Sequence, residues 1–205
     1  MIKELSRVAS RDVSRETFER LTLFSRLLQV EAARQNLVSA STLENLWERH
    51  ILDSAQLVKF EPKSGASWVD IGSGAGLPGI VVACLVLGPV TLVEPRRLRV
   101  EFLRSVIESL GLEERVSIVL GRAESLAGSF GVISARAVAR LPKLLEISHH
   151  LSTGKTVWVL PKGTGAREEL AEARQAWQGT FHVERSVTSD QSLIVVATGV
   201  RAKPR

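Results

Sequence analysis

Two hydrophobic rhythms divide the chain. Over roughly the first sixty residues, apolar side chains return every three or four positions, the spacing of one helix face. Phe18, Leu21, Phe24, Leu27 and Leu28 form one such stripe behind Ser14, which stands where an N-cap belongs. The spacing predicts a helix running to about Gln35. Leu43, Leu46, Trp47, His50, Ile51, Ser54 and Leu57 form a second stripe. It is introduced by Ser41-Thr42-Leu43-Glu44, which matches a capping box. Residues 1–13 mix charges with little periodicity and predict no ordered element. Glu61-Pro62-Lys63-Ser64-Gly65 is the first linker. Residues 1–61 are therefore expected as a helical extension, and 62–205 as the main domain.

Beyond the linker the rhythm changes to short apolar runs alternating with amphipathic stretches. The runs Ser67–Ile71, Val90–Glu94, Val116–Leu120, Val132–Ala135 and Thr156–Leu160 predict five strands. Helices are expected between them over Gly79–Leu87, Arg97–Leu110 and Leu141–Leu151, and after them over Ala166–Trp177. Phe181–Val187 and Leu193–Thr198 predict a closing antiparallel pair. The pattern is that of an α/β, Rossmann-like fold: a mostly parallel seven-stranded sheet with helices on both faces.

The first strand runs into a turn with four glycines in eight residues, within Asp70-Ile71-Gly72-Ser73-Gly74-Ala75-Gly76-Leu77-Pro78-Gly79. Glycines cluster where a turn needs positive φ or where a ligand approaches the backbone closely. A helix starting just after such a turn offers free N–H groups to a ligand. Gly74 to Gly79 also satisfies G-x-G-x-x-G, and Glu94 lies 20 residues after Gly74, the spacing of a nicotinamide-binding fold. Charge favours another ligand. A carboxylate at the strand end, Asp70, opposes a pyrophosphate, whereas S-adenosylmethionine brings an ammonium and a sulfonium. On this reading Asp70 faces the ammonium, Gly72, Gly74 and Gly76 form the cradle, Glu94 accepts the ribose hydroxyls, and Glu124 with the amides near Ala123 flanks the adenine.

Composition narrows the acceptor. The 205 residues carry a formal charge of +5, which biases the surface toward anionic partners. Arg96, Arg97 and Arg99 follow the second strand, Arg122 the third, Arg136 and Arg140 the fourth, and Lys162 the fifth. Positive charge recurring at one sheet edge suits a polyanionic substrate. The single cysteine, Cys84, lies in an apolar run and is expected to be buried; it is misplaced for a pyrimidine C5 nucleophile. Ser134-Ala135-Arg136 stands where exocyclic-amine methyltransferases carry Asn/Asp-Pro-Pro-Tyr/Phe, and the chain has no tyrosine. No cluster suggests a metal. A site without an evident base suits guanine N7, which loses no proton on methylation. No apolar run reaches membrane-spanning length and the first residues lack a signal-peptide core, so a cytoplasmic protein, monomeric, is expected. A nicotinamide-dependent oxidoreductase and a non-enzymatic RNA-binding assembly factor remain the alternatives.

Asn36-Leu37-Val38-Ser39, Arg49-His50-Ile51-Leu52-Asp53-Ser54, the glycine turn, Arg99-Val100-Glu101-Phe102-Leu103-Arg104, Ser134-Ala135-Arg136-Ala137 and Leu160-Pro161-Lys162-Gly163 together resemble the RsmG (GidB) family. The resemblance runs from about Ser14 to Thr198. It implies a class I fold and transfer of a methyl from S-adenosylmethionine to guanine N7 in 16S ribosomal RNA. Carried onto matching positions, it implies cofactor contacts at Gly72, Leu77, Ala123, Glu124 and Arg136. It implies that Asn36, Arg49, His50, Asp53 and Lys162 shape the acceptor side or hold the helical extension on the sheet. Asn36, Arg49, His50, Arg97, Arg122, Arg136 and Lys162 make up the expected RNA-binding set, Arg136 and Lys162 orienting the acceptor. The second strand ends in Glu94 where many members have Asp.

Overall fold

The computed structural model describes residues 1–35, 37 and 43–204. Seven strands form one sheet: β1 (Trp68–Ile71), β2 (Val90–Glu94), β3 (Val116–Leu120), β4 (Val132–Ala135), β5 (Val157–Lys162), β6 (Trp177–Arg185) and β7 (Leu193–Ala202). Their order is β3-β2-β1-β4-β5-β7-β6. The first five run parallel, and β7 pairs antiparallel with both β5 and β6. The sheet order reverses between β1 and β4, which places a crevice outside the carboxyl ends of those two strands.

Alternation along the strands sends side chains to two cores. Trp68, Val90, Leu92 and Val132 face one layer; Val69, Ile71, Val93, Ile133 and Ala135 face the other. The second layer is covered by α5 (Leu141–Ser148) and α6 (Ala166–Ala176). The first is covered by α3 (Gly79–Leu85) and α4 (Arg97–Leu110), together with the N-terminal helices α1 (Ile2–Ala9) and α2 (Arg15–Ala32). Leu5, Leu21, Phe24 and Leu28 are fully buried in the same cluster as Trp68 and Leu103, so the extension and the sheet share one core. Cys84 lies in that cluster, and burial pushes its thiol up to about 12.

Ser14 caps α2 as expected, accepting from the Thr17 amide. The first residues differ from expectation: they form α1, whose Leu5, Val8 and Ala9 are buried. The i, i+3, i+4 stripe is too short to register as periodicity, and tertiary packing supplies what it lacks. Arg11 then pins the segment, donating to the Leu85 and Val58 carbonyls at 3.0 and 2.6 Å and pairing with Glu61 at 3.1 Å.

The second predicted helix also differs. It is a π-helical turn over Trp47–Leu52, a short α turn over Asp53–Ala55 and a 3₁₀ turn over Gln56–Phe60. A π turn is wider than an α turn, so a 3.6-residue stripe no longer points one way along it. His50, assigned by spacing to the apolar face, is only half-buried and turns toward the sheet edge. The capping-box residues Ser41 and Thr42, and Asn36, lie outside the described residues.

Candidate active site

The glycine turn links β1 to α3. Gly72, Gly74 and Gly76 have φ of +67°, +56° and +86°, a region that L side chains enter only with strain. They serve different ends. A Cβ on Gly76 would stand 2.7 Å from Ile80 and 3.2 Å from Leu103 and Phe24, so this glycine lets α2 and α4 close on the turn. Gly76 is buried, whereas Gly72 and Gly74 reach the surface. At Gly74 a Cβ would meet only the Arg99 guanidinium, at 3.4 Å, and the Gly72 carbonyl. Gly74 is therefore the open point of the cradle. Leu77 is 5% exposed and its side chain belongs to the core, so only its backbone is available to a ligand there.

Asp70 does not stand where the charge argument put it. It is fully buried beneath the turn. Its Oδ1 accepts from Ser134 Oγ at 2.7 Å, and its Oδ2 accepts from the Gly79 amide at 3.1 Å. Trp68 Nε1 donates to the same Ser134 hydroxyl at 2.9 Å. Burial raises the Asp70 pKa to about 6, against the opposing influence of these hydrogen bonds and of Arg136. The carboxylate is thus a pin joining β1, β4 and the start of α3. Its side chain lies on the sheet face covered by α3, beside its β4 neighbour in register, Ser134, and has no exposed surface.

Glu94 ends β2 and clasps the turn. Its Oε2 accepts from the Gly74 amide at 2.8 Å and its Oε1 from the Arg96 amide at 2.9 Å. Each oxygen keeps a second lone pair. Beyond β3, Ala123 is buried and Glu124 exposed, in a 3₁₀ turn over Ala123–Ser125. A glycine cradle open at Gly74, an acid fixed beside it and a second acid past the next strand fit a ligand carrying ribose hydroxyls and an adenine. They do not form a phosphate nest, since Glu94 occupies the amide that a phosphate would take.

A cavity of about 800 Å³ opens at the other side of the crevice. Of the predicted acceptor residues it brings together Arg49, His50, Arg136 and Lys162, with Asp53. Arg97 and Arg122 are not among its walls. They are exposed at the β2 and β3 ends, Arg97 pairing with Glu101 at 3.1 Å.

The cavity floor is the loop after β4. Arg136 Nη1 lies 3.2 Å from His50 Nδ1 and 3.8 Å from Asp53 Oδ2, tying the loop to the π turn. Ala137 has φ +57°, a strained value for a residue with a Cβ. Val138 sits over the glycine turn, its Cγ2 2.6 Å from where a Gly72 Cβ would be. Lys162 braces the loop, donating to the Ala139 carbonyl at 2.7 Å and pairing with Glu169 at 2.9 Å. Glu169 in turn accepts from the Leu141 amide at 2.7 Å. Lys162, expected on the acceptor side, lines the cavity with a side chain that is 11% exposed and an ammonium engaged by Glu169 and the Ala139 carbonyl.

The far wall comes from the β6–β7 connection, through Ser186, Thr188, Ser189 and Ser192. Asp53 holds it: Oδ1 accepts from Gln56 Nε2 at 2.7 Å, Thr188 Oγ1 at 2.8 Å and Ser186 Oγ at 3.1 Å. The wholly buried Gln56 adds a bond, its Oε1 accepting from the Val187 amide at 2.9 Å. Sequence reading missed this wall, and Val138 and Glu169 with it. The partners are more than 130 residues apart and the hydroxyls read locally as an ordinary polar turn. Among the described residues, each cavity-lining group able to act as a base is tied into the walls: Asp53 through Oδ1 by this network, Glu169 through Oε2 by Lys162 and the Leu141 amide, and His50 Nδ1 by Arg136.

Residues 17–194 match the model of the family described as GidB: rRNA small subunit methyltransferase G. A Zymomonas mobilis protein called ribosomal RNA small subunit methyltransferase G is 46% identical over 200 residues, covering 93% of this chain and 90% of its own. A protein of the same name from Erythrobacter litoralis is 49% identical over 187 residues, covering 90% and 89%. Among solved structures, an O-methyltransferase from Bacillus cereus in complex with SAH superposes with a TM-score of 0.60 at 19% identity, over 86% of this chain and 90% of that one. A mutant of MtNAS in complex with S-adenosylmethionine gives 0.58 at 22% identity, over 87% and 74%. These structures share the fold, a class I methyltransferase sheet. With the sequence relatives and the glycine cradle facing a basic cavity, they lead to one conclusion: this chain belongs to the rRNA small subunit methyltransferase G (GidB) family.

Proposed function

We infer that the protein transfers a methyl group from S-adenosylmethionine to N7 of a guanine in 16S ribosomal RNA. The observation that supports the choice of atom is that the candidate bases on the described cavity wall, Asp53, Glu169 and His50, each hold part of that wall. An acceptor that had to lose a proton would have to draw one of these groups away from the wall it holds. Guanine N7 presents a lone pair and loses no proton. Positioning then carries the rate. When bound, S-adenosylmethionine supplies a methyl on a sulfonium sulfur: the N7–methyl bond forms as the carbon–sulfur bond breaks, sulfur keeps the electron pair, and the positive charge passes to the purine.

Gly72, Gly74, Glu94, Ala123 and Glu124 are the residues proposed to hold the methyl donor. Asp70, Gly76 and the Leu77 side chain support that cradle from behind. Arg49 and Arg136 face the acceptor, while Lys162 and Asp53 hold the walls. Residues 1–61 belong to the working unit through the π turn, which delivers Arg49, His50 and Asp53 to the cavity. Exposed Arg97 and Arg122 extend the basic rim along which phosphates lie. Among the described residues no helix is long and apolar enough to cross a membrane. The reading takes the protein as a cytoplasmic monomer, which sedimentation equilibrium tests.

The deciding experiment is transfer of labelled methyl to 16S RNA, offered naked, in the 30S subunit and in the ribosome. Borohydride–aniline scission then locates 7-methylguanine. Label at one guanine, with scission there, is expected. No label in any form, or label resistant to scission, refutes the reading.

A further inference from the structure

Resting on the guanine-N7 reading, we propose that His50 is a specificity-determining residue that donates Nε2–H to O6 of the acceptor guanine, and that Arg136 imposes the tautomer that makes this possible. The first support is geometric. Arg136 Nη1 lies 3.2 Å from His50 Nδ1. A guanidinium has only donors, so Nδ1 must bring the lone pair and the ring hydrogen resides on Nε2. The ring is half-buried and lines the cavity.

The second support is charge. Burial, Arg136 and Arg49 lower the His50 pKa to about 4, with Asp53 alone opposing them. The imidazole is therefore neutral at physiological pH. Among the described residues, the other side-chain N–H donors on the cavity wall are cations, Arg49, Arg136, Arg140 and Lys162, and the hydroxyls of Ser186, Thr188, Ser189 and Ser192 lie on the far wall. Lys162 is already committed to Glu169 and the Ala139 carbonyl.

The third support is the chemistry of the acceptor. Methylation places a positive charge on the purine, beside O6. A cation donating to O6 opposes that charge as it develops, whereas a neutral N–H donor satisfies the oxygen without opposing it. The same donor reads the base. Guanine presents the O6 acceptor next to N7, where adenine presents the N6 amino donor. Neutral His50, unable to accept at Nε2, fits the first and clashes with the second.

The test uses the full-length protein and 16S RNA whose target guanine is replaced by 2-aminopurine, which keeps N7 and lacks O6. Wild type is expected to lose at least about tenfold in kcat/KM on this RNA. His50→Ala is expected to methylate both RNAs equally, at the lower rate. His50→Gln, which keeps an N–H donor, restores the preference in part. Independently of activity, ring ¹⁵N shifts at pH 7 are expected to show a neutral imidazole held as Nε2–H alone, with an Nδ1–H fraction appearing in Arg136→Ala.

A cationic or Nδ1–H ring in wild type overturns the proposal. So does equal use of guanine and 2-aminopurine by wild type, or discrimination that survives in His50→Ala. Failure of wild type to methylate unsubstituted 16S RNA at N7 is a different result, and refutes the reading on which the proposal rests.

Discussion

Replacing Asp70 with asparagine separates a pin from a ligand contact. The carboxyl is fully buried, and its pKa rises from 3.8 to about 6 chiefly through burial. Between those values the folded state binds more protons than the unfolded chain. Stability therefore falls as pH rises through that window and is level above it. Two pKa units correspond to about 3 kcal/mol. Asparagine keeps most of the geometry: its oxygen accepts from the Gly79 amide, and its NH₂ donates to Ser134 Oγ, which already accepts from Trp68. The Ser134 hydroxyl hydrogen is left to the Val69 carbonyl, 3.5 Å away. Every other titrating group is common to both proteins. Urea titrations from about pH 4 to pH 7 should therefore show the wild-type stability falling by about 2 to 3 kcal/mol relative to Asp70→Asn. Cofactor affinity, measured by calorimetry with S-adenosylhomocysteine and S-adenosylmethionine, should change by less than tenfold. A lost charged hydrogen bond to the ammonium would cost about 1.5–3 kcal/mol, or roughly 10- to 150-fold. Parallel stability curves refute the burial argument. A loss of affinity on that scale for S-adenosylmethionine, with the fold intact, refutes the role of a pin.

The two glycines at the heart of the turn should respond differently. Gly76→Ala drives a Cβ into Ile80, Leu103 and Phe24 and should cost about 2–3 kcal/mol in a denaturant melt. Gly74→Ala has room and should cost about 1 kcal/mol, with the main loss in cofactor affinity by calorimetry. Lys162→Met strands Glu169 with one amide and frees the Ala139 carbonyl; a thermal melt should show about 2 kcal/mol lost, less than a fully buried pair because both side chains keep some exposure. The salt slope of RNA binding should hardly change in that variant. Arg97→Glu should leave stability nearly untouched and lower the salt slope by about one, as read by filter binding across ionic strength.

The chain by itself determined the architecture, because hydrophobic period is a local property. Alternating runs placed β1 to β5 within a residue or two, and the Ser14 cap and the closing antiparallel pair were written in adjacent residues. The glycine turn announced itself for the same reason, since positive φ selects residue type directly. Only tertiary structure decided what those residues do. Asp70 and Glu94 look alike in sequence, each an acid at the end of a strand. Both are buried, yet one lies beneath the turn and bonds Ser134 and the Gly79 amide, whereas the end of β2 brings the other to the Gly74 amide at the open point of the cradle. Lys162 resembled a phosphate contact until α6 placed Glu169 2.9 Å away. The acceptor cavity was the least legible part. Its walls are joined by Asp53, Gln56 and Arg136 to partners some 85 to 135 residues distant, where no local pattern points from one to the other. A hydrogen bond across that separation exists only once the sheet has set the distance. The function of each polar group here follows from its partner more than from its type.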